Sequence, residues 1–79
     1  MKARIRITLK SGVLDPQGSE IGHALSRMGF EGVENVRQGK FIELDVAAGS
    51  TEAARQQVEA MCKRLLANPV IETYDIEIA

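Results

Sequence analysis

Gly12-Val13-Leu14-Asp15-Pro16-Gln17-Gly18 separates a strand pattern from a helix pattern. Asp15 followed by Pro16 is a helix-start signal. The carboxylate accepts hydrogen bonds from the first free backbone N–H groups, and proline at the first helical position has a suitable φ and no donor to orphan. A helix start needs only those two residues. Gly12, Val13, Leu14, Gln17 and Gly18 make the stretch a particular loop, with two apolar residues beside the cap. Two readings stand open. One is a connector whose Val13 and Leu14 seal the edge of the core. The other is a partner-binding loop carried on a rigid scaffold.

Upstream of the loop, Lys2 to Lys10 alternates. Ala3, Ile5, Ile7 and Leu9 form one row, and Lys2, Arg4, Arg6, Thr8 and Lys10 the other. Period two over this length reads as a half-buried strand. Downstream, the spacing predicts a helix from Pro16 to about Met28, with Ile21, Ala24, Leu25 and Met28 on one stripe. Gly29 is its left-handed cap, and Phe30 is placed to fold back on the last turn. His23 lies beside the stripe without a second histidine or a recognisable acidic partner, and reads as a boundary residue rather than a catalytic base.

Gly32 to Ala48 reads as a hairpin. Val33 and Val36 belong to its first arm, and Arg37-Gln38-Gly39-Lys40 is its turn, with Gly39 supplying positive φ. Ile42, Leu44 and Val46 line one face of the second arm; Phe41, Glu43 and Asp45 line the other. Ser50 or Thr51 caps a second helix whose stripe is Ala54, Val58, Met61 and Leu65, flanked by Cys62 and Leu66. Asn68-Pro69 ends it. Val70 to Ile78 is the last strand, with Tyr74, Ile76 and Ile78 on one face.

The expected fold is therefore α+β: one ferredoxin-like β-α-β-β-α-β domain over residues 1–79, a four-stranded antiparallel sheet with two helices on one face. At 79 residues with a single cysteine and a single histidine, the chain has neither an intrachain disulfide nor a His/Cys zinc site to reinforce a small core. Oligomerisation or docking to a larger partner is the remaining reinforcement. The net charge of −1 gives no polyanion-binding signature. The expectations are no nucleic acid, no membrane and, with one free cysteine and no export signal, a cytoplasmic location.

On the open sheet face, the basic row of the first strand lies between Glu43 and Asp45 on one side and Asp75 and Glu77 on the other, so cross-strand pairs neutralise the arginines. An RNA-recognition module of the same order needs aromatic residues on its central strands; here only Phe41 is available. No phosphate-binding glycine loop is present, and Gly12 and Gly18 are too far apart to make one. The carboxylates lie on a flat face opposite basic residues, whereas acid/base pairs need a cleft. Cys62 reads as a small buried thiol. No catalytic, cofactor or metal residue is expected.

Three stretches carry more specific information: Lys10-Ser11-Gly12-Val13-Leu14-Asp15-Pro16-Gln17-Gly18, Val36-Arg37-Gln38-Gly39-Lys40, and Met61 to Glu72, which contains Leu66-Ala67-Asn68-Pro69-Val70-Ile71-Glu72. Together, in this order and spacing, they resemble the PurS family, the small subunit of phosphoribosylformylglycinamidine synthase in the purine pathway. The resemblance spans essentially the whole chain. It implies a subunit without chemistry of its own: a homodimer, with a tetramer also open, that bridges a glutaminase subunit and a synthetase subunit. The complete enzyme converts formylglycinamide ribonucleotide, glutamine and ATP to the amidine, glutamate, ADP and phosphate, and ATP and Mg belong to the synthetase partner. The expected partner interface comprises Gly12, Val13, Leu14, Asp15, Pro16, Gln17 and Gly18, then Arg37, Gln38, Gly39 and Lys40, then Asn68 and Pro69. The alternative function is an ACT-like regulatory domain that binds a small molecule at a dimer interface.

Overall fold

The computed structural model describes residues 1–79. The element order is β1 (Lys2–Leu9), α1 (Pro16–Arg27), β2 (Gly39–Asp45), α2 (Thr51–Met61), a π turn continuing α2 (Cys62–Leu66), and β3 (Glu72–Ile78). The sheet is antiparallel, in the order β2-β1-β3. Its register sets Arg4 opposite Glu43 and Glu77, and Ile5 opposite Ile42 and Ile76.

The alternation in β1 sorts its side chains as the sequence predicts. Ala3, Ile5 and Ile7 are fully buried with Ala54 and Val58 of α2 and Cys62 of the π turn, and Val46 and Ala67 close the core. On the opposite face Arg4 bridges Glu43 at 3.2 Å and Glu77 at 3.8 Å, and Arg6 reaches Asp75 and Glu77 at 3.7 Å. These pairs are solvent-exposed, so each contributes about 0–1 kcal/mol and they set register more than stability.

The fourth strand expected over the first hairpin arm is absent, so the sheet has three strands. Gly29, Gly32 and Asn35 take positive φ of 94°, 77° and 56°. These residues turn the chain at three-residue intervals, so Val33 and Val36 never enter one extended segment. Arg37 to Lys40 is accordingly not a tight hairpin turn. Gly39 opens β2, and its glycine is required by space rather than by positive φ: a Cβ there would meet the backbone oxygen of Ile7 and the Thr8 methyl. Only the second arm, as β2, pairs in the sheet.

Only α2 covers the core face of the sheet. α1 starts where the sequence places it, with Asp15 as cap and Pro16 at the first position, and Gly29 follows in the left-handed conformation. Its apolar stripe, however, meets no core: Ile21 is 41 % exposed and Met28 71 %. The Phe30 amide donates back to the Leu25 carbonyl at 3.1 Å and closes the last turn, as expected, while its side chain is left exposed. The chain extends over 50 × 24 × 15 Å with a radius of gyration of 15.9 Å, against about 12 Å for a compact domain of this length. The elongation fits a helix held away from the sheet body.

At the end of α2 the π turn displaces the expected stripe. The Ala67 amide donates to the Cys62 carbonyl five residues back, so the sheet-facing position passes from Cys62 to Ala67. Leu65, expected on the core side, is 83 % exposed. The last strand begins at Glu72 rather than Val70, because Val70 and Ile71 lie in the turn after Pro69.

Candidate functional site

Antiparallel pairing brings the C-terminal end of β1 beside the N-terminal starts of β2 and β3: Thr8 faces Gly39, and Leu9 faces Glu72. Each of the three sequence stretches singled out above touches that end of the sheet. The topology therefore gathers residues from positions 10–18, 36–40 and 68–72 into one place.

Asp15 is the centre of the arrangement. One carboxylate oxygen accepts from the Gly18 amide at 2.8 Å, as a helix cap does, and the other accepts from the Gln38 amide at 2.8 Å. The carboxylate is buried. The bond from Gln38, then that from Gly18, hold its carboxyl below the ordinary value, with a smaller contribution from the nearby Arg37 charge. Arg37 ties the same two segments in the reverse sense. Its guanidinium donates to the carbonyls of Val13 at 3.2 Å, Leu9 at 3.4 Å and Lys10 at 3.1 Å. Gly18 permits the approach, since a Cβ there would lie 2.5 Å from the Val36 carbonyl oxygen and 2.7 Å from an Asp15 carboxylate oxygen.

The third segment is locked separately. The Asn68 side chain accepts from the Val70 amide at 3.0 Å, and its carbonyl accepts from the amides of Ile71 and Glu72. Glu72 accepts from the Asn68 amide at 2.6 Å and pairs with Lys40 at 3.7 Å, which links the corner to β2. The Lys10 amide donates to the Ile71 carbonyl and links it to β1. Between the three segments lies a cleft of about 190 Å³, lined by Ile7, Leu9, Asp15, Gln17, Gln38, Gly39, Lys40 and Glu72.

The expected interface residues divide in two. Asp15, Gly18, Arg37, Gly39 and the Gln38 backbone are committed to holding the segments together. Leu14, Pro16, Gln17, Lys40 and Pro69 are exposed around them, as is Gly12 at a φ of 87°; Asn68 is exposed but its side chain is committed to its own corner. Leu14 is 80 % exposed and Val13 half-buried, so Leu14 does not seal the core edge. Glu72 is a site residue that sequence reasoning missed. Its only sequence signal is its place in the third stretch, because its role depends on a strand partner distant in sequence. Cys62 is fully buried; burial, with the nearby Glu59 charge, pushes its thiol up, which leaves it inert at neutral pH.

The PurS family model, described as phosphoribosylformylglycinamidine (FGAM) synthase, matches residues 2–79. The chain is 48 % identical over 75 residues to the PurS subunit of Synechocystis, covering 95 % of this chain and 75 % of that one. It is 44 % identical over 77 residues to the PurS subunit of Methanocaldococcus jannaschii, covering 98 % and 93 %. The crystal structure of the M. jannaschii protein superimposes with a TM-score of 0.86 over 96 % of this chain and 92 % of that one, at 45 % identity. A chain of the PurLQS structure from Thermotoga maritima gives 0.89 over 96 % and 93 %, at 37 % identity. These likenesses give no support to an ACT-like regulatory domain. With the family motifs gathered at one end of a matching fold, the chain belongs to the PurS family of FGAM synthase subunits.

Proposed function

We propose that this chain is the non-catalytic bridging subunit of an FGAM synthase complex. It holds a glutaminase subunit and an ATP-dependent synthetase subunit in register, so that ammonia released from glutamine reaches the amidation of formylglycinamide ribonucleotide. Fixing two active sites relative to each other replaces diffusion through solvent by a short transfer, which is a proximity effect. ATP and Mg act in the synthetase partner.

The observation that carries this reading is the clasped end of the sheet. An internal network spends Asp15, Arg37 and Asn68 on rigidity, and the side chains it presents, Leu14, Gln17 and Lys40 among them, form a fixed exposed surface suited to docking. The T. maritima structure is one of PurLQS, an assembly of PurL, PurQ and PurS, which supports partners of the same kind for this chain. The uncovered stripe of α1 supports a homodimer, in which a second copy supplies the missing cover. No helix is long and apolar enough to cross a membrane. The unpaired, buried Cys62 fits a reducing compartment, and we place the complex in the cytoplasm.

Reconstitution tests the proposal. Synthetase and glutaminase subunits are assayed with glutamine as nitrogen donor, with and without this chain, and again with ammonium salt in place of glutamine. The expected result is that glutamine-dependent product needs the chain, while ammonium-dependent product forms without it. Equal glutamine-dependent rates with and without the chain would remove the bridging role.

A further inference from the structure

Charge is arranged differently on the open face of the sheet and at its clasped end. On the open face each arginine has exposed carboxylates beside it: Arg4 lies 3.2 Å from Glu43, and Arg6 3.7 Å from Asp75. At the clasped end the cations are exposed and the carboxylates are turned inward. Residues 10–18, 36–40 and 61–72 hold five cations, Lys10, Arg37, Lys40, Lys63 and Arg64, against two carboxylates, Asp15 and Glu72. All five cations are exposed, whereas Asp15 is buried and the Glu72 side chain is 15 % exposed. This positive surplus stands in a chain whose total charge is −1.

The topology brings these cations to one end of the molecule. Arg37 donates to the Lys10 carbonyl at 3.1 Å, the Lys10 amide donates to the Ile71 carbonyl at 2.8 Å, and Lys40 lies 3.7 Å from Glu72. Lys63 and Arg64 arrive from α2. β2 ends at Asp45, opposite Lys2, and β3 starts at Glu72, opposite Leu9. The segment between them therefore runs the length of the sheet and ends at the clasp, with Lys63 and Arg64 in its closing π turn. Lys40 is offset by Glu72, and Arg37 by the nearby Asp15. Lys10, Lys63 and Arg64 take no part in the ion pairs of the chain.

Apolar side chains lie among these charges: Leu14 is 80 % exposed and Val70 78 %. An anionic polymer would neutralise the cations and leave both in water. The three segments also hold no aromatic side chain on which a base would stack. An acidic protein surface satisfies both features, with carboxylates against the cations and apolar side chains against Leu14 and Val70. Resting on the bridging reading above, we propose that the clasped end receives an acidic surface of a partner subunit, the same subunit that Leu14 and Gln17 contact, with Lys10, Lys63 and Arg64 facing its carboxylates. Asp15 and Glu72 do not repel that surface, because both are turned inward onto backbone amides. The apolar centre sets how long the contact lasts. The surrounding cations speed its formation, since rim charges act mainly on the association rate.

Charge reversal tests the proposal. The double variant Lys10→Glu with Lys63→Glu is compared with Lys2→Glu, a reversal at the far end of β1; all three side chains are exposed, and far-UV circular dichroism checks that each variant folds. Association and dissociation rates with the synthetase and glutaminase subunits are measured at low and high salt, beside the double variant Leu14→Ala with Gln17→Ala. For the partner that the alanine variant weakens, wild-type affinity is expected to fall with added salt. The reversed pair is expected to slow association about tenfold at low salt, with little change in dissociation. Lys2→Glu is expected to leave both rates unchanged. Wild-type rates in the reversed pair, with the alanine variant still weakened, would overturn the acidic partner surface and leave the docking surface standing. So would an equal loss in Lys2→Glu, which assigns the effect to net charge. Unchanged affinity in both double variants would overturn both readings. Salt-sensitive binding of a single-stranded oligonucleotide, lost in the reversed pair alone, would replace the partner subunit by a nucleic acid. Lys10→Gln with Lys63→Gln repeats the test, with the same expected direction, if the reversed pair fails to fold.

Discussion

α1 and α2 carry apolar stripes of the same helical spacing and meet different surroundings. α2 and the π turn that continues it bury Ala54, Val58 and Cys62 completely. α1 starts with a cap as well formed as that of α2, yet leaves Ile21 and Met28 in solvent. Local chemistry makes both helices, and only one finds its cover within the chain. Amphipathic spacing states that a face requires burial; it does not state which molecule provides it. The contrast extends to the loops. The stretch before α1 is pinned through Asp15 and by bonds from Arg37, whereas the residues just after α1 turn at Gly29, Gly32 and Asn35 and pair with no strand.

Substitutions that separate the two regions break this contrast if it is wrong. The largest effect belongs to the sheet body. Ile5→Ala removes a fully buried side chain and is expected to cost about 2–5 kcal/mol in chemical denaturation. Met28→Ala on α1, measured at dilute concentration, is expected to change stability by about 0.5 kcal/mol or less. A comparable loss at both sites would mean that α1 is packed within its own chain.

The clasp comes next. Gly18→Ala sets a methyl group against the Val36 carbonyl and the Asp15 carboxylate, and is expected to cost about 1–3 kcal/mol, as overpacking does. Gly49→Ala, where a Cβ meets open space, serves as the neutral comparison in the same thermal unfolding series.

Asp15 makes the clasp sensitive to acid. Its folded carboxyl lies below the ordinary value of 3.8. The stability it adds is therefore complete above that value and lost as the pH falls through the lower, folded one. In Asp15→Asn, stability is expected to be lower at neutral pH, with a shallower decline on acidification. Parallel acid limbs for variant and wild type would assign the acid sensitivity to other groups. A small effect is expected on the open face. Arg4→Ala should cost about 0–1 kcal/mol, and less at high salt.

Much of this division is legible in the sequence. The alternation of Lys2 to Lys10 sets the core row and the charged row. Asp15-Pro16 marks the helix start, and the basic row between two acidic ones describes the open face. The first hairpin arm is not legible, because Val33 and Val36 suggest a strand while the positive φ of Asn35 has only a weak sequence signal. Leu65 is misplaced by its spacing, because a π turn adds a residue to the helical repeat without a characteristic residue to announce it. At the candidate site, the three stretches can be named from the sequence but not brought together. Asp15 to Gln38 and Lys40 to Glu72 are contacts created by strand register, and the sequence reveals register only for the charged face.

The central claim is that the clasped sheet end is a docking surface distinct from the surface of self-association. The most direct measurement is the affinity of the double variant Leu14→Ala with Gln17→Ala for the synthetase and glutaminase subunits, with its own oligomeric state followed by light scattering. Both side chains are exposed, so the fold is retained. Weaker binding to at least one partner with unchanged self-association is the expected result. Unchanged affinity for both partners would contradict the assignment and move the docking surface elsewhere on the molecule.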